Sequence, residues 1–328
     1  MIQLHNDATP IRTAASVLQY LEEGGIGSAS VATGFHPLDE ALAGGVRTQH
    51  LTVVGGLPGT GKSAFTLQAA RSIAADDRNV VYASYEHDRL ALLERLLLLE
   101  IGELVEGGAA ASKLARASLR AVVQGQRTMD GELASNLLLR AAHARVSEYA
   151  EQLWLLRASP LNTSVNQLDD AARQAGTGSV LFVDFLQKVP IEERTSDVER
   201  ITQASSGLKE IALKNDIAVV AIVAGDQDGL NTRRLRLSQL RGAAGLAYEA
   251  DVVLMMNEKY HAVSKLHSAF DPIRAEQFKR FMVFSVDKNR DGEHGIDVQF
   301  EKDFAHLRFN PAGSYVEERL VDELMYPE

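Results

Sequence analysis

Short, wholly apolar runs alternate along this chain with longer segments whose apolar residues return every three or four positions. His50-Leu51-Thr52-Val53-Val54-Gly55 and Asn79-Val80-Val81-Tyr82-Ala83-Ser84-Tyr85 are the first two runs. Ser179-Val180-Leu181-Phe182-Val183-Asp184, Ala218-Val219-Val220-Ala221-Ile222-Val223, Asp251-Val252-Val253-Leu254-Met255-Met256 and Phe281-Met282-Val283-Phe284-Ser285-Val286 follow. Continuous apolarity with β-branched residues predicts strands buried on both faces. Residues 153–157 predict another strand, and Val298-Gln299-Phe300 with Leu307-Arg308-Phe309 a closing hairpin. Helices are predicted at Ala64 to Ala75, 165–175 and about 196–215. The stretch 88–150 is helical in character, with one helix at Leu90 to Ile101 and another at Leu133 to Val146, separated by Gly107-Gly108. Leucines 96–99 are placed on a buried helix face and Trp154 in the core. Strands alternating with helices predict an α/β fold, a mostly parallel sheet covered on both faces.

Ahead of this core, Ile11, Ala14, Ala15, Val17, Leu18 and Leu21 recur at helical spacing, and Gly24-Gly25 ends the pattern. The predicted division is an arm over 1–31, one domain over 32–315 and a short acidic tail over 316–328. The arm's helix either packs on its own domain or docks on a neighbour.

Between the first strand and the first helix lies Gly56-Leu57-Pro58-Gly59-Thr60-Gly61-Lys62-Ser63, which fits the phosphate-loop pattern G-x-x-x-x-G-K-[ST] at every fixed position. The context is the required one. Backbone N–H groups of a glycine turn converge on phosphates, and the dipole of the following helix favours negative charge. Lys62 is assigned to the β- and γ-phosphates of ATP, and the Ser63 hydroxyl to Mg²⁺. Asp184, ending an apolar strand, is the candidate carboxylate on the Mg²⁺ side. Glu86 follows the second strand and is the candidate for orienting water and taking its proton. Ligands of open α/β sheets bind beyond the carboxyl ends of the strands, so both should face the loop's crevice.

Composition narrows the setting. The 328 residues carry no cysteine, which excludes disulfides and thiol-bound metals. No apolar run is long enough to span a bilayer, and Met1 to Asp7 lacks the pattern of a signal peptide, so a cytoplasmic protein without membrane contact is expected. His261, His267 and His294 lack metal-ligand spacing. A net charge of −10 excludes a protein that coats nucleic acid indiscriminately. Any such contact must come from a local basic surface or a channel formed on assembly.

The order of motifs resembles the motor domain of DnaB-type hexameric helicases over roughly residues 30–310. The segments are Thr33-Gly34-Phe35, Leu38-Asp39 and Leu42, the phosphate loop, Tyr85-Glu86, Val183-Asp184-Phe185-Leu186-Gln187, Leu240-Arg241, Glu249-Ala250-Asp251-Val252-Val253 and Lys288-Asn289-Arg290-Asp291-Gly292. The D-F-L-Q and K-x-R segments are much more specific than the phosphate loop. The resemblance implies a RecA-like ATPase core assembling as a homo-hexamer with ATP at subunit interfaces. It implies that Glu86 activates water, and that Lys288 and Arg290 reach into the neighbour's site.

Three departures stand out. Only about thirty residues precede the core, where the family carries a helical domain that contacts primase, which puts primase binding in doubt. The family's serine-glutamine γ-phosphate sensor is replaced by Val223-Ala224, with Gln227 three residues on as a substitute. The R-E-S-G turn reads Arg241-Gly242-Ala243-Ala244. Just upstream, Arg233, Arg234 and Arg236 complete with Arg241 the clearest basic cluster of the chain. In a ring such loops would give a positive funnel for single-stranded DNA. Two functions follow as expectations: a DNA-translocating helicase motor, or a RecA-like ring acting as a nucleotide-dependent switch or scaffold without unwinding. A RecA-type recombinase fits the late K-x-R segment less well.

Overall fold

Neighbouring side chains of each central strand enter two different cores. This follows from the twofold repeat of a strand inside a sheet covered on both faces. The computed structural model describes residues 13–23, 27–105, 108–191, 196–263 and 272–321. In chain order the elements are α1 (Ala14–Glu22), β1 (Ser30–Val31), α2 (His36–Ala41), β2 (Val46–Arg47), β3 (Leu51–Gly56), α3 (Lys62–Ala75), β4 (Val80–Ser84) and α4 (Arg89–Leu104). Then come α5 (Ala109–Val123), α6 (Met129–Ser135), α7 (Leu137–Tyr149), β5 (Leu153–Arg157), α8 (Val165–Ala175), β6 (Val180–Asp184), α9 (Asp197–Asn215) and β7 (Ala218–Ala224). The last are α10 (Ala243–Glu249), β8 (Val252–Glu258), α11 (Lys259–Ala262), α12 (Pro272–Phe278), β9 (Phe281–Asn289), β10 (Asp297–Asp303), β11 (Arg308–Phe309) and β12 (Ser314–Tyr315).

The main sheet runs β11-β10-β9-β8-β3-β7-β6-β4-β5, with β12 also on β10. The strands β5, β4, β6, β7, β3 and β8 are mutually parallel. The antiparallel β9, β10 and β11 close one edge. Val54, Val80, Tyr82, Val180 and Phe182 face one core with α3, α4, α5 and α7. Val53, Val81, Ala83, Leu181 and Val183 face the other with α8, α9 and α10. Leu96, Leu97 and Leu99 are buried as expected, each such side chain contributing about 1.5–3 kcal/mol by leaving water.

The T-G-F and L-D segments are an anchor. The Asp39 carboxylate accepts from Thr33 N (2.9 Å), the Thr33 hydroxyl (2.7 Å) and Gly34 N (3.0 Å). Phe35, fully buried, packs on Phe65 and Phe300 at 4.8 and 5.1 Å between ring centres.

Several expectations are corrected. The helix expected over Leu133 to Val146 is two, because Asn136 ends α6 and its side chain accepts from Leu139 N (3.0 Å) to start α7. Trp154 is 36% exposed, because β5 is the edge strand. Part of the expected tail is tied to the core: Val316 N donates to Asp297 O, and Glu318 pairs with Lys259 and Arg274. Residues 322–328 lie outside the described residues, as do Ile11 and Gly24-Gly25 of the arm, Gly107 and His267. The described helix α1 buries none of its side chains.

Candidate nucleotide site

The loop between β3 and α3 takes a path that glycine makes possible. Gly59 and Gly61 have φ of +82° and +84°, a region L side chains rarely occupy. A Cβ on Gly61 would also lie 2.8 Å from the Phe304 ring. Gly56 ends β3, Pro58 is exposed beside it, and the buried Thr60 hydroxyl donates to Leu57 O at 2.8 Å. The Lys62 ammonium donates to the carbonyls of Gly56 (2.9 Å) and Leu57 (2.7 Å). Burial lowers its pKa to about 8, opposed in part by Asp184 and Glu86.

Asp184 is 1% exposed at the carboxyl end of β6. The hydroxyls of Ser63 and Tyr82 donate to it, the latter at 3.2 Å. Burial raises its pKa, the Ser63 bond lowers it, and the nearby Glu86 charge raises it. Glu86 itself is exposed, just past β4. Ser63 and Asp184 thus present hard oxygen donors side by side. That donor set suits Mg²⁺, which uses one or two protein ligands and fills its shell with phosphate and water oxygens.

A cavity of about 480 Å³ brings Pro58, Gly59, Gly61, Lys62, Ser63, Glu86 and Asp184 together. His87, Arg95, Phe185, Ala224, Phe304 and Leu307 also line it. Sequence reasoning missed Arg95, Phe304 and Leu307. The last two sit on the turn after β10, and nothing local in sequence signals that this turn folds over the distant phosphate loop.

Lys288 and Arg290 lie elsewhere. Lys288 pairs with Val253, which pairs with Val53, and Arg290 N donates to Asp251 O. Arg290 is therefore level with the start of β3, roughly 17 Å from its loop end at ~3.3 Å per residue, and Lys288 is level with the middle of β3, roughly 10 Å from that end. Lys288 donates to the carbonyls of Ala247 (2.8 Å) and Ala250, and Arg290 to Tyr248 O (2.6 Å) and the Asp251 carboxylate (3.1 Å). Cations there complement the carboxyl end of α10.

The basic cluster is not collectively free. Arg234, 6% exposed, pairs with Asp297 at 2.5 Å and donates to the Ser285 hydroxyl. Arg236 pairs with Asp287 at 2.7 Å, Arg233 donates to Val263 O, and Arg241 is exposed. Gln227 is exposed on the turn after β7, whereas Ala224 lines the cavity. The buried Gln187 reaches that point instead, its amide N–H donating to Ala224 O at 3.4 Å.

Residues 30–309 match the family described as DnaB-like helicase C terminal domain. The chain belongs to this family. It is 25% identical over 295 residues to the Replicative DNA helicase DnaC of Bacillus subtilis (strain 168), covering 86% of this chain and 58% of that protein. It is 24% identical over 254 residues to the Replicative DNA helicase DnaB of Geobacillus stearothermophilus, covering 75% of this chain and 52% of that one. The chain thus spans little more than half the length of these relatives. Among solved structures, an isolated ATPase domain superposes with a TM-score of 0.70 at 19% identity, over 93% of this chain and 99% of that one. A DnaB-like replicative helicase described with its interactions with primase gives a TM-score of 0.70 at 20% identity, over 91% and 68%. The expected RecA-like DnaB motor fold is therefore the fold of this chain. Among the described residues no helix is long and apolar enough to cross a membrane.

Proposed function

We propose that this DnaB-like chain hydrolyses ATP as one subunit of a homo-hexameric motor that moves on single-stranded DNA. The observation that carries the reading is the convergence of Lys62, Ser63, Asp184 and Glu86 on one cavity at the carboxyl edge of the parallel sheet. The triphosphate lies on the glycine loop and the amino end of α3. Lys62 exchanges its loop carbonyls for β- and γ-phosphate oxygens. Ser63 and Asp184 hold Mg²⁺, which when bound neutralises developing charge on the phosphates. Glu86 orients the attacking water and accepts its proton. Phe304 and Leu307 offer an apolar wall to the adenine base.

The position of Arg290 supports action in trans, since it lies at the opposite edge of the sheet from its own loop. Such an arginine is worth roughly 10³–10⁵ in rate in well-studied NTPases. Arg241, exposed on the loop, is the basic group offered to a DNA backbone, with Arg233, Arg234 and Arg236 shaping the loop through their own contacts. Residues 231–241 contain no aromatic side chain, so the contact follows phosphates without sequence preference.

The test is ATP turnover by the purified protein with and without single-stranded DNA, alongside mass by light scattering. A hexamer whose turnover rises with DNA is expected. A second reading, the nucleotide-dependent switch or scaffold, is favoured by the internal pairing of Arg234 and Arg236 and by Ala224 at the sensor position. Turnover indifferent to DNA in an assembled ring would select it.

A further inference from the structure

The cavity wall made by Phe304 and Leu307 is held in place from outside by the helical layer. Both side chains sit on the turn between β10 and β11. The Ser112 hydroxyl on α5 lies 2.6 Å from His306 Nε2, and His306 Nδ1 lies 2.8 Å from the Asp303 carboxylate. Arg116 of α5 donates to Ala305 O (3.2 Å), and Arg308 pairs with Glu103 of α4 (2.8 Å). The α4 backbone passes so close that a Cβ on Gly102 would lie 2.7 Å from His306 Cβ. From the inner side, Gln68 of α3 donates to Phe309 O and accepts from Phe309 N, both at 2.9 Å. The Phe304 ring meets Phe309 edge-on at 5.4 Å.

Ser112, His306 and Asp303 follow the order of a hydrolytic triad. Ser112 is only 3% exposed, so its hydroxyl meets no substrate and the bridge is mechanical. With Nδ1–H donating to Asp303, Nε2 accepts the Ser112 hydroxyl proton, and the turn is pinned between α5 and β10.

We propose that the Ser112–His306–Asp303 bridge is a positioning device for the nucleobase. It fixes Phe304 against the base, so the helices α4 and α5 set affinity for the base while the phosphate loop sets affinity for the triphosphate. The inference rests on the nucleotide reading above and adds the separation of the two contributions.

Calorimetric titration of the full chain with ATP and with inorganic tripolyphosphate, both in Mg²⁺, tests it. Ser112→Ala and His306→Ala should weaken ATP about three- to tenfold, the range of one or two lost hydrogen bonds, and leave tripolyphosphate unchanged. His306→Gln, whose amide can still meet Ser112, should recover most of the loss. Equal weakening of both ligands overturns the proposal, as does unchanged ATP affinity in a Ser112→Ala protein that melts like the wild type. Lys62→Ala reads the underlying site separately: wild-type affinity for both ligands in that variant removes the nucleotide site and the inference with it.

Discussion

Lys62 carries a pH dependence of definite sign. Its pKa is lowered from 10.5 to about 8 because burial disfavours the charged form. The unfolded chain therefore binds more protons than the folded one between about 8 and 10.5, and this group's contribution to stability becomes more favourable as pH rises through that window. Phosphate binding runs the other way, because the neutral amine offers no charge. ATP affinity should hold to about pH 8 and then fall by up to ~10-fold per unit, measured by titration at pH 7 and 9. A flat profile would remove Lys62 from the phosphate contact. Asp184→Asn should keep nucleotide binding and lose on the order of 10²-fold or more in turnover, read by comparing kcat with Kd. These two groups were legible in sequence because a loop pattern and a strand end are local features. The ion pairs of Arg234 and Arg236 were not, because Asp297 and Asp287 reach them only through the closing antiparallel strands.

At the scale of elements, the six central strands were legible because burial on both faces leaves no polar position to confuse the pattern. The helical layer was harder. Asn136 interrupts an apolar period that continues across it, so a capping residue read as an interior one. The same layer holds a demanding buried polar group. Glu100 of α4 is fully buried, takes Arg71 of α3 at 2.6 and 2.7 Å and accepts from the Tyr149 hydroxyl at 3.0 Å. Glu100→Ala strands Arg71 without its partner and should cost about 3–5 kcal/mol, measured by urea unfolding. A loss under about 1 kcal/mol, the value of an exposed pair, would mean that Arg71 finds water or another carboxylate. Gly102→Ala, two residues further along α4, acts by steric clash with His306 and Arg308. It should lower the melting temperature, and a variant that melts like the wild type would show that the turn after β10 yields without cost.

At the scale of the whole molecule, the sheet separates the groups that the proposed motor would bring together. The phosphate loop, Asp184 and Glu86 stand at the carboxyl edge of the parallel strands, and Arg290 stands at the other, held by Tyr248 and Asp251. Arg290 does not line its own chain's cavity, whereas Arg95 does. In the proposed homo-hexamer, a heterologous contact repeated round a closed ring would bring the two edges together at every interface. Lys62→Ala and Arg290→Ala proteins should each be inert alone. Mixed and allowed to exchange subunits, they form interfaces that combine the intact loop of one with the intact Arg290 of the other, about a quarter of all contacts in a random equal mixture. Turnover should reappear at roughly that fraction of wild type if interfaces fire independently. Light scattering and melting curves establish that both variants assemble, which matters because Arg290 also caps α10. Assembled mixtures that stay inert would place the catalytic arginine elsewhere. Arg290→Ala protein active by itself would leave Arg290 as the anchor of α10 and nothing more.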